Sequence, residues 1–134
     1  MAKKFDTDGI SSFWVESSEK DWKTMGHLLK SKDYAWALFL GHLVIEKLLK
    51  AMVVKQTNSH PPFIHSLTSL ARSVDVELSN DKLNWLEEIN SFNMNARYDD
   101  VKFEFYKKCT KQFAAEWVEK IKILRKWLKK ELSQ

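Results

Sequence analysis

Apolar residues along this chain recur mostly at spacings of three and four, the period of one helix face. The strongest segment runs from Tyr34 to Val54. Its first twelve residues, Tyr34 to Ile45, carry no charge, and Glu46, Lys47 and Lys50 interrupt it later. At ~100° per residue, Tyr34, Ala37, Leu38, Gly41, Ile45, Leu48 and Met52 share one face. The opposite face holds Trp36, Phe39 and Leu43, followed by Glu46, Lys47 and Lys50. A surface helix is polar along that whole side. This pattern therefore predicts a central helix covered twice, opening after Asp33 and running to about Lys55. Twelve uncharged residues are too few to span a bilayer, which takes ~20.

Four further helices fit the remaining pattern. The first begins near Ser11 or Ser12, with serine as cap, and ends near Leu29. Its apolar stripe is Trp14, Trp22, Met25, Leu28 and Leu29, with Asp21 lying inside it. After the polar connector Thr57–Pro62 comes a short helix, about His65 to Ser73. The next starts after Ser79-Asn80-Asp81 and reaches about Arg97, with Trp85, Leu86, Ile89, Phe92 and Ala96 inward. The last runs from about Phe103 to Leu132 through Tyr106, Phe113, Trp117, Ile121, Leu124 and Leu128. Short links between long amphipathic helices predict an all-α, up-and-down antiparallel bundle of four long helices plus one short helix, in a single domain over residues 1–134.

Composition narrows the function classes. Three Gly and two Pro leave little material for β-turns, which argues against sandwiches and barrels. A single cysteine, Cys109, excludes an internal disulfide and a cysteine-based zinc cluster. The first ten residues lack the apolar segment of a signal peptide, so the expected location is cytoplasmic, with no membrane contact. Charge is uneven: residues 101–134 hold ten Lys or Arg against four Glu, a net +6, which leaves −2 for residues 1–100 of a chain at +4. That basic tail suits either nucleic acid or a solvated helix face, and the solvated face is the better reading.

Asn90, Asn93 and Arg97, spaced i, i+3, i+7, share one side of their helix, where two amides and a guanidinium bordering a core require partners. Asp21, on an apolar stripe, requires a cation, for which Lys47, Lys50 and Arg97 are candidates. The four histidines match no metal motif, and His65 suits the opening of the short helix or a bond to a nearby turn. No nucleophile elbow, Walker loop or dinucleotide fingerprint is present. Cys109, beside an apolar face, reads as a small hydrophobe. No cofactor is expected.

Four segments in order together resemble the HEPN family, the higher eukaryotes and prokaryotes nucleotide-binding domain. Tyr34-Ala35-Trp36-Ala37 is similar to its Y-x-x-A start, and Glu46-Lys47-Leu48-Leu49-Lys50-Ala51 to its E-K-x-L-K-A segment. Pro61-Pro62-Phe63-Ile64-His65-Ser66-Leu67 resembles its P-x-x-H-[DS]-L turn, and Asn95-Ala96-Arg97-Tyr98-Asp99 its A-R-Y-P-[DE] end, with Asp99 in place of proline. The resemblance implies a homodimer, often paired with a minimal nucleotidyltransferase in toxin–antitoxin-like modules. Some members are metal-independent ribonucleases using Arg-x(4–6)-His. Here Arg97 is followed by Tyr98, Asp99, Asp100, Val101, Lys102, Phe103 and Glu104, with no histidine, so the acid–base partner is missing and the expectation is a non-catalytic protein. The expected ligand site, for a nucleotide or RNA, comprises Asp21, Glu46, Lys47, Lys50, Asn90, Asn93, Arg97 and Tyr98. Lys50 and Arg97 supply charge for phosphate, Asp21 and Glu46 orient them, and Tyr98 stacks on a base. Trp36, Phe39 and Leu43 form the expected dimer seam. A ribonuclease combining Arg97 with His42 or His65, or a purely structural interaction module, are the alternatives.

Overall fold

The computed structural model describes residues 4–97 and 99–134; the side chains of residues 94–102, Arg97 and Tyr98 among them, lie outside that description. The described residues form six helices and no strand: α1 Thr7–Lys30, α2 Tyr34–Thr57, α3 Leu67–Arg72, α4 Asn80–Arg97, α5 Asp99–Lys108 and α6 Lys111–Leu132. The four long ones, α1, α2, α4 and α6, are the bundle that the hydrophobic period predicts.

Two boundaries differ from the sequence expectation, and capping explains both. Helix α1 starts at Thr7 because the Asp6 carboxylate accepts from the Gly9 amide at 3.0 Å, satisfying an N-terminal donor one turn before Ser11. Ser11 and Ser18 are instead buried inside the helix, where their hydroxyls donate to the carbonyls of Ala51 and Val44 at 3.0 and 2.9 Å. The face of α1 turned to α2 is thus Ser11, Ser18 and Met25, seven apart. Trp14, Trp22, Leu28 and Leu29 are only half-buried beside it. The second difference is at Cys109–Thr110, which splits the expected last helix. Thr110 caps α6 by accepting from the Phe113 amide at 3.1 Å. The break resets the register: Phe105, not Tyr106, faces the core, and Tyr106 is 44% exposed.

Helix α2 occupies the middle. It packs against α1, α3, α4, α5 and α6 and is buried almost continuously from Ala35 to Val54. Gly41 lets three helices converge: a Cβ there would stand 2.5 Å from Ile121 Cδ1 and 3.3 Å from Met25 Sδ. Around α2, Leu38, Ile45, Leu49, Leu86, Ile89, Phe92, Ile121 and Leu124 are fully buried. Each such side chain contributes ~1.5–3 kcal/mol relative to exposure. Phe92 seats the far end of the bundle, with Phe105 and Trp117 rings at 5.6 and 5.7 Å. No described helix is long and apolar enough to cross a membrane.

Candidate functional site

Helix α2 carries His42, Glu46 and Lys50 at i, i+4 and i+8, one above another on a single face. In a helix otherwise built of core residues this line is buried: His42 is 0%, Glu46 3% and Lys50 5% exposed. Such groups persist in a core only when partnered. The partner arrives from the proline-led connector. His65 Nδ1 donates to the Glu46 carboxylate at 3.0 and 3.2 Å, and Lys50 Nζ reaches Glu46 Oε2 at 3.1 Å. His42 Nε2 donates to the His65 carbonyl at 3.2 Å and stands 3.8 Å from Glu46 Oε1. One carboxylate thus gathers two cationic or imidazole groups and ties the connector down across α2.

The proton positions follow from these contacts. A carboxylate and a carbonyl only accept, so His65 carries its proton on Nδ1 and His42 on Nε2. His42 Nδ1 is left as a buried acceptor without a hydrogen bond. Burial, opposed by the Glu46 charge, holds the His42 imidazole below its ordinary pKa. His65 has the other character: its side chain is 58% exposed, with Nε2 unbonded by any described residue. A buried carboxylate orienting an exposed imidazole by its Nδ1 is an arrangement able to move a proton.

The flanks are built from α1 and α4. Lys50 Nζ lies 5.3 Å from the Trp14 ring centroid, and Lys47 pairs with Asp21 at 2.6 Å. Of the cations that suit Asp21 by sequence, Lys47 meets it and Lys50 turns to Glu46, while Arg97 lies outside the described side chains. Asn90 Oδ1 accepts from the Leu67 amide at 3.0 Å, while Ser66 caps α3 through the Ser69 amide at 3.2 Å. Asn90 thus fixes the backbone immediately after His65, a positioning role. Asn93 is partly buried on the same helix.

Asp21 with Lys47 and Glu46 with Lys50 therefore form two ion pairs along α2, Asn90 stands behind the loop that Glu46 holds, and the Arg97 and Tyr98 readings fall outside the described side chains. Each lysine is matched by a carboxylate. Lys50 is thus held by Glu46, the orienting role expected of that carboxylate. His42 and His65 are members that the leading sequence reading did not place in the site and that only the ribonuclease alternative named. Only the i, i+4, i+8 spacing of His42 with Glu46 and Lys50 signalled the first. The second was signalled only as the histidine of the proline-led turn, and nothing local pointed to its partner nineteen residues away. Cys109 is buried, and burial pushes its thiol up to about 11, so it behaves as a small hydrophobe. Among the described residues no group of three or more His, Cys, Asp or Glu could hold a metal ion.

A central helix carrying a carboxylate-centred polar line, roofed by a proline-led loop, defines the chain as an all-α bundle with a buried polar cluster. The family model described as the HEPN domain matches residues 11–132, and the chain belongs to the HEPN family. Among solved structures it is similar to the crystal structure of TT1696 from Thermus thermophilus. The TM-score is 0.76 at 19% identity, over 90% of this chain and 96% of that one, a likeness of fold. No curated protein matches.

Proposed function

We propose that the protein is a non-catalytic, homodimeric HEPN bundle. In this reading its polar cluster binds a nucleotide or nucleic acid, or abuts a minimal nucleotidyltransferase partner, in a toxin–antitoxin-like module. One observation carries the reading. Between Ala35 and Val54, helix α2 is buried except along a single stripe of part-buried residues, Trp36, Phe39, Leu40, Leu43 and Lys47, and four of those five are apolar. Trp36 and Phe39 stack edge to face at 5.8 Å on that stripe. The connector anchored by His65 also presents Phe63 fully exposed and Ile64 at 38%. Contiguous apolar surface rimmed by polar groups marks an interface, and a second copy supplies a matching stripe by two-fold symmetry. The polar cluster then lies at the edge of the seam, where a ligand meets both protomers.

Light scattering after gel filtration tests the seam: wild type runs at twice the chain mass and Leu43→Glu at the chain mass, with unchanged helicity. A wild-type monomer at high micromolar concentration overturns it. Calorimetry with mononucleotides tests the ligand, and absence of heat at millimolar nucleotide removes that half. The Glu46-oriented, exposed imidazole of His65 favours one second reading, metal-independent ribonuclease action with Arg97. Cleavage of total RNA in chelator, lost in both His65→Ala and Arg97→Ala, would select it.

A further inference from the structure

The basic tail acquires a definite geometry once α6 is placed. Between Lys120 and Lys130 the chain carries six basic residues and no acid. Arg125 and Lys129 are taken by Glu19, each at 2.7 Å, and clamp α6 to α1. Lys122, Lys126 and Lys130 form no ion pair with any described residue and are exposed. Their i, i+4, i+8 spacing sets them in one line about 6 Å apart along the helix.

Beside this line runs the seam between α4 and α6, and it holds rings. Lys82 Nζ lies 4.2 Å from the Trp127 ring centroid; Lys120 Nζ lies 4.3 Å from Trp117 and 5.9 Å from Trp85. Trp85 and Trp127 are half-buried, and Ile123 between the lysine line and the seam is 44% exposed. Acidic groups share the surface: Glu116 meets Lys120 at 3.8 Å, Glu119 lies three residues before Lys122, Glu131 follows Lys130, and α4 adds Asp81 and Glu88, four before and three after Trp85. This face is turned away from the α2 stripe. Helix α6 packs on Gly41, two residues and roughly 200° around α2 from Leu43.

We infer that the α4–α6 face binds single-stranded nucleic acid, with the lysine line on the backbone and the Trp85–Trp127 seam stacking bases. A cationic track beside aromatic faces is the arrangement that holds single strands without reading sequence. A duplex would use the lysines but leave the rings idle, because its bases are already stacked. An anionic membrane is disfavoured by the packing. A basic amphipathic helix binds lipid through its apolar face, and here that face, Trp117, Ile121, Leu124 and Leu128, is buried in the bundle. The inference needs neither the dimer seam nor the polar cluster of α2.

The test is fluorescence anisotropy of a labelled twelve-nucleotide oligouridylate with the intact protein, titrated at several salt concentrations. Wild type binds at low salt and weakens steeply as salt rises. The triple variant Lys122→Gln, Lys126→Gln, Lys130→Gln loses at least tenfold in affinity. Its log–log salt slope is shallower by about 2, since each single-strand phosphate contact contributes ~0.7. Trp85→Leu weakens binding by about tenfold while leaving that slope unchanged, because stacking releases no counterions. Circular dichroism verifies that each variant keeps its helicity, and Lys122→Gln alone, fully surface-borne, gives a smaller change in the same direction. No binding by wild type at low salt, a triple variant that binds like wild type, or preference for duplex or anionic vesicles over the single strand overturns the inference.

Discussion

Removing the Glu46 carboxylate should be among the most damaging single changes available in α2 that leave its apolar surface intact. In Glu46→Ala the Lys50 ammonium, whose side chain is 7% exposed, loses its acceptor at 3.1 Å, and His65 loses the group that holds it. Stripping one partner from a buried pair costs ~3–5 kcal/mol, because the surviving charge stays desolvated. For 134 residues the unfolding entropy near the midpoint is about 0.28 kcal/mol/K, so Tm falls by about 10–18 °C. Differential scanning calorimetry reads this directly. Two comparisons isolate the cause. Glu104→Ala breaks an ion pair whose side chains are 62% and 76% exposed and leaves Tm where it is. The double change Glu46→Leu with Lys50→Met removes both charges at once and recovers most of the loss. If Glu46→Ala melts within about 3 °C of wild type, the cluster does not stabilise the loop over α2 and the argument for a built site fails.

Two further outcomes follow from local geometry. Gly41 and Gly26 both interrupt long helices, where alanine is worth ~1 kcal/mol by propensity. Gly26→Ala, with nothing within 4 Å of the new Cβ, raises stability by that amount in urea unfolding. Gly41→Ala meets the buried Ile121 at 2.5 Å, and an overpacking cost of ~1–3 kcal/mol reverses the sign. Ile121→Val relieves part of that cost in the double variant, and equal effects at the two glycines would refute the three-helix contact. Stability also falls with acid. His42 has a folded pKa held below its unfolded value, mainly by burial, so the unfolded chain takes up the proton first. Its contribution is therefore present above about pH 6.5 and is lost as pH drops through that value toward the lower folded pKa. Unfolding free energies at pH 7.5 and 5.5 should differ less in His42→Gln than in wild type.

The helices were legible where their signal is periodic. The Tyr34–Val54 pattern placed α2 at the centre because both its faces are apolar over most of their length, and burial on nearly all sides is what the structure shows. Boundaries were less legible because several residues compete to cap. Asp6 and Ser11 are equally good cap types, and only the bond to Gly9 decides between them. The α5–α6 break is harder still: no Gly or Pro marks it, and helical spacing from Tyr106 to Phe113 continues across Thr110 as though nothing intervened. The register change then exchanges Tyr106 for Phe105 in the core.

The site divided along a similar line, between what one helix reveals and what two must share. Glu46, Lys47 and Lys50 stood out because charge on a core helix is costly, which made Asp21 and the Asn90 strip natural places to seek partners. The structure answers that search within α1 and α2 for Lys47, which meets Asp21. For Glu46 it answers through a loop residue that no periodicity could connect. His65 is the residue that turns a pair of helical charges into a strap, since it joins the proline-led connector, the α3 cap and α2 through one ring and one carbonyl. The charges of the central helix are thereby mostly spent inside the protein. Among the exposed lysines without an ion pair to a described residue, Lys122, Lys126 and Lys130 line up on the far side, in a tail that the sequence left open to nucleic acid behind a solvated face. The charges of α2 hold the loop and helices together whatever that cluster binds, whereas the inferred strand contact rests on α6, so variants of α2 and of α6 should separate stability from single-strand binding.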